Sequence, residues 1–208
     1  MGVKLFLICV LGLGCFLGQA AVPVEGIVYF KEGSSIGFSG NDRVYIPKRG
    51  RDVKVFRNLF TRDKQKEIYP IEGIDSIVCW HPRTPEHRRK FIPAESIGWC
   101  WLYFSTPHIC AYVYSGRGYG IASNGGIQVY QRKRIFGRSQ VVYYLRKSGD
   151  TAYYSLGRVK SRTGNAFRER ICRYVADDAA LCARIRNSDT WRDKTVLMLR
   201  DYHIGNQP

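Results

Sequence analysis

The stretch IGWCWLYFSTPHICAYVYS, residues 97–115, decides the fold class. Two runs rich in aromatic and β-branched residues, a composition typical of strands, flank the turn Thr106-Pro107. A connection this short joins antiparallel neighbours, because parallel strands need a crossover of a dozen or more residues. We therefore expect a β-hairpin here and antiparallel pairing through the rest of the sheet.

Similar runs continue from Glu25 to about Leu156 and predict up to eleven strands. The runs are EGIVYFK, SSIGFS, DRVYIP, DVKVF, GIDSIVCW, IGWCWLYF, HICAYVYS, GYGIAS, GIQVYQ, SQVVYYLR and TAYYSLG. Glu32-Gly33 is a compact hairpin signal between the first two runs. So many strands do not fit one flat sheet, and we expect an antiparallel β-barrel or a two-sheet sandwich.

After Lys160 the spacing of apolar residues becomes helical. Asn165 can cap a first helix, Asp177 can cap a second helix, AALCARI, and Ser188 to Asp193 hold capping signals for a third, TWRDKTVLMLRDY. The predicted fold class is therefore mainly β with α, an α+β protein that ends in a short helical segment. We predict a β-rich domain over residues 21–160 and about three short helices over 161–208, packed on the β domain.

The N-terminus has the pattern of an export signal. Lys4 precedes an apolar run from Leu5 to Leu17, and small residues follow at Gly18 and Ala20. This pattern predicts a signal peptide, residues 1–20, cleaved near Ala20. Lipid attachment at Cys15 is the alternative. No later segment has the roughly 18 apolar residues of a membrane-spanning helix, so the mature protein is expected in the periplasm, in the cell envelope or outside the cell.

Positive charge is concentrated late in the chain. The formal net charge is +16, and residues 131–173 hold twelve Lys and Arg against two acidic residues, a net of +10. Such a stripe favours an anionic partner, although a solvated surface would have the same composition. The candidate anion-binding residues are Arg88, Arg89, Lys90, Arg132, Lys133, Arg134, Arg138, Arg146 and Lys147. The candidate partners are an anionic glycan, a lipid headgroup and an acidic protein surface, while nucleic acid is not expected outside the cytoplasm.

The stretch SIVCWHPRTPEHRRKF, residues 76–91, admits several interpretations. Cys79 and His81 would share a strand face and could hold a metal with His87, and His81 with Glu86 or His87 could form an acid–base pair. Two prolines predict an irregular loop, however, and the four cations would repel a divalent metal. We therefore predict no metal site and no cofactor, and favour an anion-contacting loop or a solvated strand end.

Five cysteines remain after removal of the predicted signal peptide: Cys79, Cys100, Cys110, Cys172 and Cys182. Export permits disulfides, and an odd count leaves at least one thiol unpaired within the chain. A hairpin turning at Thr106-Pro107 would place Cys100 and Cys110 on opposite faces of the sheet. Cys172 and Cys182 lie on consecutive predicted helices and are the candidate disulfide.

Aromatic residues also recur along the predicted strands. Tyr112 and Tyr114 share one strand face, and Tyr143 and Tyr144 lie on a later strand. Strand aromatics mostly fill cores. A set of them exposed beside arginines could instead stack on sugars or bases.

Several segments together resemble a known group of proteins. They are the early hairpin GIVYFKEGSSIGF, the middle strand IDSIVCW, the turn YYLRKSGD before YYSLG, and the tail FRERICRYVADDAALCARIRN before WRDKTVLMLRDY. The chain in this respect resembles uncharacterised exported β-rich proteins of Bacteroidetes-type bacteria. The resemblance implies export and a β body with a helical tail, and it implies no activity.

Function is therefore expected to be binding or structural. The leading hypothesis is a non-enzymatic exported protein with a basic surface for an anionic partner. The alternative is a hydrolase that uses His81 and His87 with a carboxylate such as Glu86 or Asp75.

Overall fold

The computed structural model describes residues 23–130, 141–158 and 164–203, and these contain thirteen strands and three α-helices. The strands are β1 (Glu25–Phe30), β2 (Ser35–Phe38), β3 (Arg43–Tyr45), β4 (Val53–Arg57), β5 (Gln65–Tyr69), β6 (Ile74–His81), β7 (Thr84–Ala94), β8 (Gly98–Ser105), β9 (Ile109–Ser115), β10 (Tyr119–Ile121), β11 (Ile127–Val129), β12 (Val141–Lys147) and β13 (Tyr154–Arg158). The helices are α1 (Asn165–Tyr174), α2 (Ala179–Asn187) and α3 (Arg192–Leu197), with 3-10 turns at Ile71–Gly73 and Met198–Asp201.

The predicted fold class is confirmed. Eight strands form one antiparallel sheet in the order β13-β12-β9-β8-β7-β6-β1-β2, which we call the large sheet. A three-stranded sheet, β3-β4-β5, and a two-stranded one, β10-β11, complete the β structure. Because β2 and β13 are edge strands, the described residues form a two-sheet sandwich with helices near the C-terminus and not a closed barrel.

All eleven predicted strands are present, but β5 and β7 are absent from the sequence-based prediction. The irregular loop predicted after His81 is wrong, because residues 84–94 form the longest strand of the described chain. β6 pairs with β7 between residues 84 and 91, and β8 pairs with it between 91 and 94. These two pairings hold in a strand a segment whose charges and prolines disfavour one, with β6 beside its charged part and β8 beside its C-terminal part.

The register of the β8–β9 hairpin also corrects a prediction. Cys100 pairs with Tyr114 and Cys110 pairs with Ser105, with an irregularity between Leu102 and Phe104. The extra residue of a bulge changes the face to which later residues point, so both thiols lie on the same face. The two thiols are still apart along the hairpin. Cys100 pairs with Tyr114, which lies four residues from Cys110 on β9.

One face of the large sheet, here called the covered face, carries Phe91 and Trp99. Part of the covered face lies beneath Val44 and Val55 of the three-stranded sheet and Tyr119 of β10. These residues are buried in one cluster with Phe91 and Trp99. Removing side chains of this size from water stabilises the fold by roughly 1.5–3 kcal/mol each.

The helices cover the rest of the same face. Phe167 and Ile171 of α1 and Leu181 of α2 are buried against Val113 of β9 and Leu145 of β12. The helical tail is therefore part of the same hydrophobic core as the strands.

The helix starts differ slightly from those predicted. α1 begins after Gly164 and not after a capping Asn165, and the side chain of Asp178, not of Asp177, accepts a hydrogen bond from the Leu181 amide at 2.9 Å. Asp178 thereby satisfies an amide that has no partner within its own helix. None of the helices in the described residues has the length and apolar character needed to cross a membrane.

Tyr119 links three segments of the β core through one hydroxyl. This oxygen accepts from the Ser115 amide at 2.8 Å and lies 2.9 Å from the Trp99 carbonyl and 2.8 Å from the Val113 carbonyl, which share its proton. The ring is fully buried. Without the hydroxyl, the Ser115 amide and both carbonyls would lose a partner in a place that water does not reach.

We expect Tyr119→Phe to lower the free energy of unfolding by about 1–3 kcal/mol, because buried polar groups lose their partner. Chemical denaturation of the variant and the wild type measures the difference. Tyr29→Phe, at an exposed tyrosine of β1, is the control and should change stability little. Equal stability of both variants would contradict this role of the Tyr119 hydroxyl.

Candidate functional site

The histidine-bearing stretch at residues 76–91 is a hairpin of β6 and β7, and its histidines do not converge. His81 Nδ1 accepts a hydrogen bond from the Arg83 amide at 3.1 Å, whereas His87 Nε2 lies 3.5 Å from Glu86 Oε1, with both side chains about half exposed. Cys79 is fully buried in the core. Within the described ranges, no three His, Cys, Asp or Glu residues are placed to hold a metal.

Two residues of this stretch bind the β10–β11 turn. Arg89 donates from Nε and Nη2 to the Gly125 carbonyl at 3.2 and 2.9 Å. Gly125 has a φ of +75°, and a Cβ there would lie 2.4 Å from the Cβ of His87. Arg89 and His87 therefore hold a neighbouring turn, which is a structural role.

Arg88 and Lys90 point to the other side of β7. Lys90 pairs with Val78, whose side chain faces away from the core, and the Arg88 guanidinium lies 5.0 Å from the centre of the Trp80 ring. Trp80 in turn donates to Glu25 Oε2 at 2.8 Å. The predicted cluster of three cations is thus divided between two faces of the sheet.

Arg146 and Lys147 are divided in the same way, because consecutive strand residues face opposite sides. Lys147 Nζ lies 2.7 Å from Asp177 Oδ1 and over the rings of Tyr174 and Tyr202. Its charge is compensated within the protein. Lys147 therefore anchors the helical tail to β12 and is a poor candidate for binding an external anion.

The Asp177 carboxylate gives this anchor a pH dependence. Burial raises its pKa, but hydrogen bonds from Lys147 and Tyr202 outweigh burial, and the net effect is a pKa below the ordinary value of 3.8. A carboxylate with a lowered pKa in the folded state contributes stability above its unfolded pKa and loses it as pH falls through the folded value.

The wild type should lose stability as pH falls below about 4, in part because Asp177 becomes protonated. We expect Asp177→Asn to lose less stability than the wild type over the same pH range. Thermal unfolding measured from pH 6 to pH 2 tests this. Asp201→Asn, at an exposed pair with Arg184, is the matched control and should leave the pH profile close to that of the wild type. An unchanged profile in Asp177→Asn would refute the anchor.

The face of the large sheet opposite the covered face carries a group of tyrosines, and we call it the tyrosine face. Tyr112 of β9 pairs with Tyr144 of β12, and Tyr114 of β9 lies two residues further along. Tyr153, from the β12–β13 turn, meets the Tyr112 ring edge-on with centroids 5.2 Å apart. These rings form a separate cluster with Cys100 and neighbouring apolar residues.

Arg146 lies among these rings. Its guanidinium is 5.1 Å from the centre of the Tyr153 ring and 5.8 Å from that of Tyr112, and Nη1 is 3.5 Å from the Tyr153 hydroxyl. No carboxylate in the described residues forms an ion pair with it, in contrast to Lys147. Cation–π contacts hold the side chain in place without neutralising its charge.

A cavity of about 670 Å³ opens above Arg146. Its lining comes from the β7–β8 connection, from the β12–β13 turn and from β12 between them; the residues are Pro93, Glu95, Ser96, Ile97, Tyr144, Arg146, Thr151, Ala152 and Tyr153. Its volume lies in the range of small-molecule sites, roughly 300–1,000 Å³. Tyr144 also lines a smaller cavity of about 280 Å³ beside Arg49.

The backbone around these cavities is strained. Ser96, in the lining of the larger cavity, has a φ of +64°, and Arg49, in the lining of the smaller one, has a φ of +56°. Residues with a side chain adopt this region rarely, and such strain clusters at ligand-binding sites.

Two tyrosines of this face, Tyr112 and Tyr153, have a raised pKa and remain protonated at neutral pH. Burial is the largest cause of a raised pKa for both Tyr112 and Tyr153, and the Arg146 charge only partly opposes it. Neutral hydroxyls can donate hydrogen bonds as well as accept them. The site therefore combines ring faces, hydroxyl donors and one guanidinium.

The five cysteines among the described residues carry free thiols. Cys172 and Cys182 lie close together on α1 and α2, and each Sγ is 3.5 Å from the carbonyl oxygen of the other residue. The predicted disulfide is not formed in this state, and its formation under oxidising conditions stays a prediction. Burial raises the pKa of Cys100 and Cys172 to about 12 each.

We expect a maleimide to label Cys110 before Cys79, Cys100, Cys172 and Cys182, because Cys110 is only half-buried and the thiolate is the reactive form. Peptide mass spectrometry after timed labelling of the native protein measures the order. Labelling in denaturant should remove the differences. Faster native labelling of Cys100 than of Cys110 would contradict the arrangement of the tyrosine face.

Four of the candidate cations, Arg132, Lys133, Arg134 and Arg138, lie outside the described residues, as does the predicted signal peptide 1–20. Of the twelve Lys and Arg of residues 131–173, the structure describes the side chains of Arg146, Lys147, Arg168, Arg170 and Arg173. Of the described candidates, Arg88, Lys90 and Arg146 face away from the core without a bound carboxylate.

Comparison with known proteins matched no family model, no curated protein and no solved structure. The resemblance to exported β-rich proteins of Bacteroidetes-type bacteria stays a prediction.

Sequence reasoning identified Arg146 and the tyrosines but missed the cavity. The segment Glu95–Ile97 has no motif that marks it as part of a site, and its contact with the β12–β13 turn exists only after four strands have paired. A signal was available in Tyr112, Tyr114 and Tyr144, which share a face once β9 and β12 are neighbours.

Proposed function

We propose that this protein is a non-enzymatic exported binding protein that takes an anionic saccharide in the cavity above Arg146. The observation that carries the proposal is the guanidinium of Arg146, which contacts two tyrosine rings, has no carboxylate partner among the described residues and lines a cavity of about 670 Å³. Guanidinium groups bind carboxylates and sulfates through charge-assisted hydrogen bonds.

The other lining groups favour a sugar over a simple inorganic anion. Tyr144 and Tyr153 line the cavity, and aromatic rings can stack on the apolar side of a pyranose. Glu95, exposed at the rim, would repel a multiply charged phosphate but accept hydrogen bonds from sugar hydroxyls. A saccharide with one acidic group uses all three kinds of contact.

Binding, and not catalysis, is the function that the contacts support. His81 and His87, the candidate catalytic residues, are outside the lining of this cavity. Their nearest polar contacts are the Arg83 amide and the Glu86 carboxylate, at the far end of β6 and β7. A general base and a general acid must each lie within hydrogen-bond reach of the substrate proton that it takes or gives.

A uronic-acid disaccharide is the probe for this proposal. Isothermal titration calorimetry should detect binding of this disaccharide to the wild type. Arg146→Gln should weaken the binding by roughly 10-fold or more, because one group that forms charge-assisted hydrogen bonds is lost. Arg146→Lys should restore only part of the affinity, because an ammonium cannot form the planar two-point contact.

Lys147→Gln is the matched control, since Lys147 is the next residue on the same strand and faces the other side. It should leave saccharide affinity close to that of the wild type. Equal weakening by Arg146→Gln and Lys147→Gln would refute the site, and so would the absence of any binding of the acidic disaccharide by the wild type.

A further inference from the structure

The three-stranded sheet has a second surface of defined chemistry, on its side away from the core. Val53 and Val55 of β4 point inward and are buried. Lys54, which lies between them, and Phe56, which follows Val55, therefore point outward. The register places Lys54 beside Tyr45 and Ile68, and Phe56 beside Lys66. We call this surface the lysine face, defined by Tyr45, Lys54, Phe56, Lys66 and Ile68.

Positive charge dominates this face. Lys54 and Lys66 are exposed on it, and the β4–β5 connection adds the exposed Lys64, whose ammonium lies 5.3 Å from the centre of the Phe56 ring. The same connection also holds exposed Arg62 and one exposed carboxylate, Asp63.

Two nearby carboxylates, those of Glu67 and Asp42, are bound to Arg57. Glu67 points to the inner side, where its Oε1 lies 3.2 Å from Arg57 Nε, and Asp42 Oδ2 lies 2.8 Å from Arg57 Nη1. Arg57 therefore holds two carboxylates away from the lysines. Among the described residues no carboxylate forms an ion pair with Lys54, Lys64 or Lys66.

Apolar side chains are exposed beside these cations. Ile68 is 51% exposed on the lysine face itself, and Phe60, in the β4–β5 connection, is 65% exposed. The strength of binding to a membrane surface rises with the apolar area that enters the interface and with electrostatic attraction to anionic lipids. A soluble polyanion would gain little from Ile68, whereas a lipid surface offers both anionic headgroups and an apolar layer below them.

We propose that the lysine face binds the surface of an anionic phospholipid bilayer. Lys54, Lys64 and Lys66 would contact the headgroups, while Ile68 and Phe60 would enter the interfacial layer. The charge complementarity and the exposed apolar residues carry this proposal independently of the saccharide site. Because the three-stranded sheet covers the face of the large sheet opposite the tyrosine face, the cavity above Arg146 would point away from the bilayer.

Vesicle co-sedimentation tests this inference. The full chain is mixed with vesicles of phosphatidylcholine alone or with about one-third phosphatidylglycerol, at low salt and at about 0.5 M salt. We expect preferential sedimentation with the anionic vesicles, weakened by salt because screening shortens the range of the charges. Lys54→Glu with Lys66→Glu should lower the partition coefficient by about tenfold or more.

The matched control reverses two exposed lysines elsewhere, Lys31→Glu with Lys194→Glu, and keeps the same net charge as the test variant. It should retain most of the vesicle binding. Ile68→Ser should weaken binding to anionic vesicles several-fold while leaving retention on an immobilised soluble polyanion such as heparin unchanged. Circular dichroism of each variant confirms that the fold is intact.

Equal losses in the test and control variants would overturn the proposal, because the effect would then come from net charge alone. Equal sedimentation of the wild type with neutral and anionic vesicles would also overturn it. A lysine-face variant that loses heparin retention but keeps vesicle binding would assign the face to a soluble polyanion. None of these results depends on saccharide binding, which the Arg146 variants test separately.

Discussion

One face of the large sheet must be kept from water, and its cover is divided between two parts of the chain. The three-stranded sheet and the β10–β11 hairpin cover one part, and the three C-terminal helices cover the other. Trp101 of β8 packs against both clusters and lies where they meet. Most of the buried hydrophobic residues of the described chain belong to the two clusters under these covers, so each cover removes a different part of the sheet from water.

The candidate sites follow from the same constraint. Since side chains alternate along a strand, each buried residue of the covered face has a neighbour that must point the other way. On β9 and β12 those neighbours are Tyr112, Tyr144 and Arg146, and on β4 they are Lys54 and Phe56. The two proposed binding surfaces are therefore on opposite sides of the sandwich, separated by its core.

Local patterns predicted much of this arrangement. Val, Ile, Tyr and Trp runs marked eleven strands correctly, because those residue types rarely occur together outside sheets. The segments that became β5 and β7 were missed, since QKEIY and TPEHRRKF are rich in charge and lack the alternation of a half-buried strand. Their strand conformation depends on pairing with the neighbouring strands, β4 for β5 and both β6 and β8 for β7.

By itself the sequence determined that the protein is an antiparallel β structure with a helical tail and a large positive charge, because short turns, strand composition and charge are local properties. Only the tertiary structure decided which cations are compensated. Lys147 meets Asp177 from a segment 30 residues away and Arg89 meets the Gly125 carbonyl, whereas Arg146 meets tyrosine rings. Residue type gives a side chain its charge, but the neighbours that the fold brings to it decide whether that charge is available to a ligand.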